Sequence, residues 1–226
     1  MADKIKVVFC LPGNSYSNTF LIQWSELLVY LERSGKYDAK LSNGYSSFVT
    51  FARAKCLGAD VQRGPKQKPF GGQLLYDVLV WIDSDIIFTT DQVIQLIDAA
   101  LKDHPVVSGL YMMSDNTHFA AVRDWDHDFF VKNSTYKFLT MKDLEKQKAR
   151  YIPCTYAGMG FMAIRKGILE QLDYPWFVHD ICTIGTLVDC CSEDVALCRN
   201  LIEHNIINAV MIRPDLRVAH EKRVLL

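Results

Sequence analysis

Two aspartates one residue apart, Asp83 and Asp85, follow an unbroken apolar run, Val78 to Ile82, and apolar residues resume at Ile86. The run has no polar alternation, which predicts a strand buried on both faces, as in a parallel or mixed sheet covered by helices. Two carboxylates at the carboxyl end of such a strand are costly to dehydrate unless something positive meets them. In open α/β sheets ligands bind at that end. The simplest positive partner is a hard divalent cation, Mg2+ or Mn2+, which takes carboxylate oxygens and carries substrate phosphates with it. The tripeptide alone would equally suit a solvated turn. The apolar run before it and the helix start after it favour the chemistry.

The elements around this strand end follow from periodicity. Lys4 to Cys10 predicts a first strand, broken by the turn formers Leu11-Pro12-Gly13-Asn14-Ser15. A helix follows with Ser17 or Asn18 as N-cap, carrying apolar residues at helical spacing from Phe20 to Leu31 and ending near Gly35. This strand-loop-helix opening sets backbone N–H groups and a helix N-terminus at the top of the sheet, which suits a nucleotide diphosphate. The loop matches neither the dinucleotide fingerprint nor the P-loop. Asp38 to Leu41 predicts a second strand, turned at Ser42-Asn43-Gly44. Ser46 or Ser47 then caps a helix bearing Arg53, either an exposed charge or a bidentate contact to nucleotide phosphates. The polar stretch Asp60 to Gln73 is long for a connection and predicts a mobile segment or a wall of the site.

Thr89 to Gln92 caps the next helix, Pro105 stops it, and Val106 to Tyr111 is another strand. The alternation of strands and helices predicts an α/β fold with a central mixed, mostly parallel sheet flanked by helices. Regular patterning is lost from Met112 to Arg150, where aromatic residues could stack on a sugar or form a satellite core, and Lys142 to Arg150 predicts an exposed helix. Gly158 and Gly160 precede a strand at Phe161 to Ile164 and allow close backbone approach to a ligand. A short helix runs to Leu172, and Tyr174 to Phe177 closes the core. Ser192-Glu193-Asp194 opens a late helix, where acidic residues complement the helix dipole. A last strand covers Ala209 to Ile212.

The bulk properties narrow the function classes. The chain has 226 residues, enough for one substantial domain spanning residues 1–226. A net charge of −1 gives no electrostatic case for a nucleic acid or an anionic membrane. No apolar stretch is long enough for a transmembrane segment. The seven cysteines form no C-x-x-C pair and are expected to be reduced packing residues, which implies a cytoplasmic setting.

Taken together, these stations resemble the GT-A glycosyltransferases. Trp81-Ile82-Asp83-Ser84-Asp85 is similar to the D-x-D metal motif of that family, and the loop after strand one to its nucleotide loop. Ala52-Arg53-Ala54 looks like the helix whose Arg borders the nucleotide. Glu193 to Leu197 looks like the E-D-x-x-L segment near the acceptor, and His220 like a C-terminal metal-ligating histidine. More narrowly, the chain looks like compact domains encoded by large algal viruses, which implies action in a host cell. The resemblance implies a hexosyl- or deoxyhexosyltransferase moving sugar from a UDP-sugar donor to a hydroxyl acceptor such as a glycan. It implies Mn2+ or Mg2+ on Asp85 and His220, with Asp83 on the metal, a metal-bound water or the ribose. Leu11, Pro12, Gly13, Tyr16, Arg53, Ser84 and Lys222 are expected to border the donor, and Asp194 to meet the acceptor hydroxyl. Three alternatives compete. A haloacid-dehalogenase-type phosphohydrolase would want Thr or Val where Ile87 stands. A sugar-nucleotide pyrophosphorylase would want a basic, Gly-rich first loop. A carbohydrate-binding domain would not need the aspartate pair.

Overall fold

The computed structural model describes residues 3–221. Its strands and helices run β1 (Ile5–Pro12), α1 (Asn18–Ser34), β2 (Tyr37–Gly44), α2 (Val49–Cys56), β3 (Val78–Ile82), β4 (Ile86–Ile87), α3 (Thr90–Lys102) and β5 (Val106–Leu110). They continue through β6 (His118–Val122), α4 (His127–Asn133), β7 (Phe138–Thr140), α5 (Met141–Glu145), β8 (Ile152–Cys154), β9 (Tyr156–Ala157) and β10 (Phe161–Arg165). The last are β11 (Asp180–Ile184), β12 (Leu187–Cys191), α6 (Glu193–Glu203), β13 (Val210–Arg217) and β14 (Ala219–His220).

Seven strands form the central sheet in the order β2-β1-β3-β10-β5-β13-β8. Strands β2, β1, β3, β5 and β13 run one way, and β10 and β8 run the other. The mixed, mostly parallel sheet expected from the sequence is therefore present. All five residues of β3 are fully buried. Val78, Val80 and Ile82 pack under α1 and α3 with Phe20, Leu27, Val93 and Ile97. Leu79 and Trp81 pack on the opposite face with Cys56, Leu57, Leu197 and Phe177. Alternating side chains of one strand thus fill two layers, which is why the run lacks polar residues.

The helix starts agree with their local chemistry. Ser17 Oγ accepts from Phe20 N–H at 3.1 Å, and Gly35 takes the left-handed conformation that ends α1. Thr89 and Gln92 form a reciprocal capping box on α3.

Several expectations need correction. Ser42-Asn43-Gly44 does not turn the second strand; β2 continues through Gly44 because its ladder with β1 reaches Pro12. Neither Ser46 nor Ser47 caps α2, which starts after Phe48 without a side-chain cap. Asp60 to Gln73 is a folded connection of 3-10 turns, stapled by buried Gln67, whose amide bonds Asp60 N–H, Asp60 O and Gly64 O. The helix expected over 142–150 is only α5, anchored by buried Leu144. The short helix before Leu172 is a single 3-10 turn. The segment 112–150 contributes β6 and β7, which form a small sheet with β9, and aromatic residues of the segment pack onto the same core as Leu79 and Trp81. The β11–β12 hairpin was not anticipated. The final strand extends to Arg217, shifting register past Pro214.

Candidate active site

Strand β3 ends at Ile82, and the chain turns at once: Asp83 N–H bonds Gly160 O at 2.9 Å and Ile86 N–H bonds Asp83 O at 3.0 Å. The turn aims the two aspartates differently. Asp83 receives Arg53 in a two-pronged bond, Nη1 to Oδ1 at 3.0 Å and Nη2 to Oδ2 at 3.1 Å. Arg53 Nε donates to Glu193 Oε1 at 2.9 Å, joining α2 to the first turn of α6. Side-chain exposures are 4% for Arg53, 6% for Glu193 and 28% for Asp83. Burial works against the Arg53 charge, but Asp83 and then Glu193 outweigh it, so its pKa rises above the usual guanidinium range. Arg53 is therefore not an exposed helix charge. Its fork, expected on a phosphate, is taken up by Asp83, and Glu193 is a buried counter-charge and not merely a solvated first-turn acid.

Asp85 is held by the last strand. Strand β14 pairs antiparallel with β4, His220 opposite Ile86, and Glu221 N–H bonds Asp85 O at 2.7 Å. This brings His220 Nε2 to 2.9 Å from Asp85 Oδ2. The other ring nitrogen, Nδ1, lies 2.8 Å from Met112 O. A carbonyl can only accept, so Nδ1 carries a proton and Nε2 faces the carboxylate. A histidine whose far nitrogen is fixed by a carbonyl is the usual setting of a metal ligand. Two ligands at right angles around a small divalent cation, with bonds of ~2.1 Å, stand ~3.0 Å apart. The Asp85–His220 spacing is that of an ion pair and is also compatible with such an edge; the carboxylate oxygen suits Mn2+ or Mg2+, and the imidazole suits softer first-row metals. Among the described residues no three His, Cys, Asp or Glu side chains come together as a metal-holding group. Asp83 has both oxygens on Arg53, each with a further lone pair left to accept.

The first loop is tied down by the second strand, through a residue whose type suggests only a turn. Asn43 Nδ2 reaches Leu11 O at 2.6 Å, Gly13 O at 2.9 Å and Tyr16 Oη at 2.8 Å, while Tyr16 O–H bonds Leu11 O at 3.0 Å. Burial pushes the Tyr16 phenol up to about 12. Gly13 has φ 149, and a Cβ there would meet Ser84 Cβ at 3.0 Å, so the loop lies directly on the Asp-Ser-Asp turn. Leu11, Pro12, Gly13, Tyr16 and Ser84 are thus neighbours. Lys222 lies outside the described residues.

Asp194, in the first turn of α6, accepts from Tyr156 O–H at 3.0 Å and lies 2.5 Å from Ser192 Oγ. Ser192 is the N-cap residue, yet its hydroxyl goes to Asp194 and not to the helix backbone. Burial, then the Asp194 charge, push the Tyr156 phenol well above its ordinary value, which keeps it a donor. Tyr111 connects the two halves of the site. Its hydroxyl accepts from Gly160 N–H at 3.1 Å, its ring meets His220 edge-on at 5.3 Å, and burial followed by Asp83 and Asp194 raises its pKa. Gly158 and Gly160 make room for this ring: a Cβ at Gly158 would lie 2.1 Å from Tyr111 Oη, and one at Gly160 2.9 Å from Tyr111 Cζ. The close approach expected for a ligand is made by Tyr111. The signal was the pair of glycines; the sequence did not say what filled the space.

Between the β11–β12 hairpin and α6 lies a cavity of about 430 Å³ lined by Trp125, Tyr136, Ile184, Asp189, Val195 and Arg199, among others; the Asp194 carboxylate is not part of its lining. Trp125 stacks on Tyr156 with ring centroids 6.3 Å apart and meets Tyr136 edge-on at 4.7 Å.

No family model matches the sequence, and no curated protein matches it either. Solved structures with a similar course of the chain include A197 from STIV, at 15% identity over 98% of this chain and 96% of that one, with a TM-score of 0.48. Another is glucosyl-3-phosphoglycerate synthase from Mycobacterium tuberculosis in complex with Mn2+, UDP-glucose and phosphoglyceric acid, at 15% identity, 98% and 73% coverage and a TM-score of 0.46. A third is 4-diphosphocytidyl-2C-methyl-D-erythritol synthase from Anaerococcus prevotii, at 13% identity, 96% and 90% coverage and a TM-score of 0.43. Likenesses at this level transfer no residue roles. Among the described residues no helix is long and apolar enough to cross a membrane, and all seven cysteines are free.

Proposed function

We propose that the chain is a metal-dependent glycosyltransferase of the GT-A type, moving a sugar from a UDP-sugar to a hydroxyl acceptor. The observation that carries this reading is the β14–β4 pairing, which sets His220 against Asp85 across 135 residues of sequence. Asp85 and His220 would hold Mn2+ or Mg2+, with donor phosphate and water completing the shell. When bound, the cation supplies charge neutralisation for a departing diphosphate. Gly13, Ser84 and the start of α1 offer a close backbone surface to the nucleotide. Asp83, fixed by Arg53, is oriented to accept from a ribose hydroxyl or a bound water. Asp194, held by Tyr156 and Ser192, faces the acceptor and would take its hydroxyl proton in an inverting reaction, or orient it in a retaining one. The cavity lined by Trp125 and Tyr136 near the start of α6 would suit the acceptor, since rings stack on the apolar face of a sugar.

The test is UDP release from a panel of UDP-sugars with Mn2+ and with excess EDTA. Asp85→Ala should abolish metal-dependent UDP-sugar binding, seen as loss of ligand stabilisation, which reaches about 2.7 kcal/mol at a hundred times Kd for an intact site. Full activity in EDTA, or binding unchanged by Asp85→Ala, would sink the reading. Pyrophosphate-dependent formation of a nucleoside triphosphate would instead indicate a pyrophosphorylase.

A further inference from the structure

Strand β2 leaves the central sheet with an open edge. At the two ends of its ladder, Ile5 N–H bonds Lys36 O at 2.9 Å and Gly13 N–H bonds Gly44 O at 3.0 Å. Even-numbered residues of β2 therefore bond inward to β1. Tyr37, Ala39, Leu41 and Asn43 turn their N–H and C=O groups outward. Edge strands are normally blunted by proline, a bulge, short length or a covering element. β2 has none of these: it runs eight residues with an unbroken register against β1 and contains no proline. Asp38, Ala39, Lys40 and Leu41 are all exposed. Asp38 and Lys40 project from one face with opposite signs, and Leu41 projects from the other, 56% exposed.

We infer that this edge pairs with the same edge of a second copy of the chain, antiparallel, about a two-fold axis at Ala39. In that register Ala39 of each copy exchanges both of its outward hydrogen bonds with the other. Tyr37 and Leu41 do the same across the strand. The positions between are the closer, non-hydrogen-bonded pairs. They set Asp38 against the second copy's Lys40, and by symmetry this occurs twice. Moving the axis to Leu41 puts Lys40 opposite Ser42 and loses both ion pairs. Moving it to Tyr37 would keep two ion pairs, Asp38 against the second copy's Lys36, but runs the ladder into the left-handed Gly35 that ends α1. Charge therefore excludes the Leu41 centre, and the backbone excludes the Tyr37 centre. The charges that guard an edge against pairing are here arranged to complement a copy of themselves.

The test is oligomeric state by sedimentation equilibrium. The parent chain should show a reversible dimer within the micromolar range. Ala39→Pro removes an outward N–H and no inward bond, so it should abolish the dimer with little change in the unfolding midpoint. Lys40→Glu and Asp38→Lys each place like charges opposite one another and should weaken self-association roughly tenfold. An equal mixture of those two variants restores both ion pairs and should form a heterodimer. A parent chain that stays monomeric through that range, a dimer that survives Ala39→Pro, or a mixture that fails to associate would each overturn the inference.

Discussion

Replacing Arg53 by methionine tests the architecture of the site while leaving both aspartates in the sequence. The stem is roughly kept and the guanidinium is lost, together with three charge-assisted hydrogen bonds. Glu193, 6% exposed, is left without its counter-charge. Breaking a buried ion pair by removing one partner costs about 3–5 kcal/mol. Asp83 is exposed enough to turn toward water and should add little. In a chain of this size each kcal/mol moves the melting temperature by about 2–4 °C, so Tm should fall by about 6–20 °C. Adding Glu193→Gln should recover most of the loss, because an amide needs no counter-charge. Urea unfolding followed by circular dichroism at neutral pH is the assay. A variant within about 1 kcal/mol of the parent, or a double variant no more stable than the single one, would refute the account.

Three further predictions follow from the same geometry. His220→Ala should weaken UDP binding in Mn2+ by at least about tenfold and leave binding in EDTA unchanged; equal weakening in both would mean that β14 meets the nucleotide without touching the metal. Asp194→Asn should lower transfer at least about a hundredfold with UDP-sugar affinity nearly unchanged, and near-normal turnover with a slightly lower melting temperature would leave Asp194 as a carboxylate that only complements the helix dipole. Gly158→Ala should cost about 1–3 kcal/mol because its Cβ meets Tyr111 Oη, and Tyr111→Phe should relieve part of it; a loss below about 0.5 kcal/mol in the single variant would show that the ring yields freely.

The strand-aspartate junction was legible because a strand buried on both faces writes its environment into every residue, and Val78 to Ile82 does so. The caps at Ser17 and Thr89 were legible because they are local. Long-range partnerships were not. Arg53 and Glu193 stand 140 residues apart, and each alone looks like a routine helix charge. Tyr111 sits at the end of a strand and gives no sign that two glycines nearly fifty residues later are its socket. Asn43 looks like a turn former and instead staples the first loop through three bonds. The β11–β12 hairpin did carry a signal, a two-residue Gly185-Thr186 connection between apolar ends, which periodicity alone did not raise above its polar surroundings. For Asp85 and His220, sequence pattern and geometry meet at one place.

The antiparallel strand β10 lies between β3 and β5, so the first three strands and β5 have no shared ladder until residues 161–165 are available. On the ribosome, then, β1, β2 and β3 can assemble early with Asp83 and Asp85 at their open end. The chain must wait for β10 to unite the sheet, for α6 to neutralise Arg53 fully, and for β14 to cover Asp85. Closing a loop of 135 residues costs on the order of 4 kcal/mol in chain entropy, and β13, already docked beside β5, meets most of it before β14 arrives. In chain order the scaffold strands β1, β2 and β3 are therefore complete well before the Asp85–His220 pair can form.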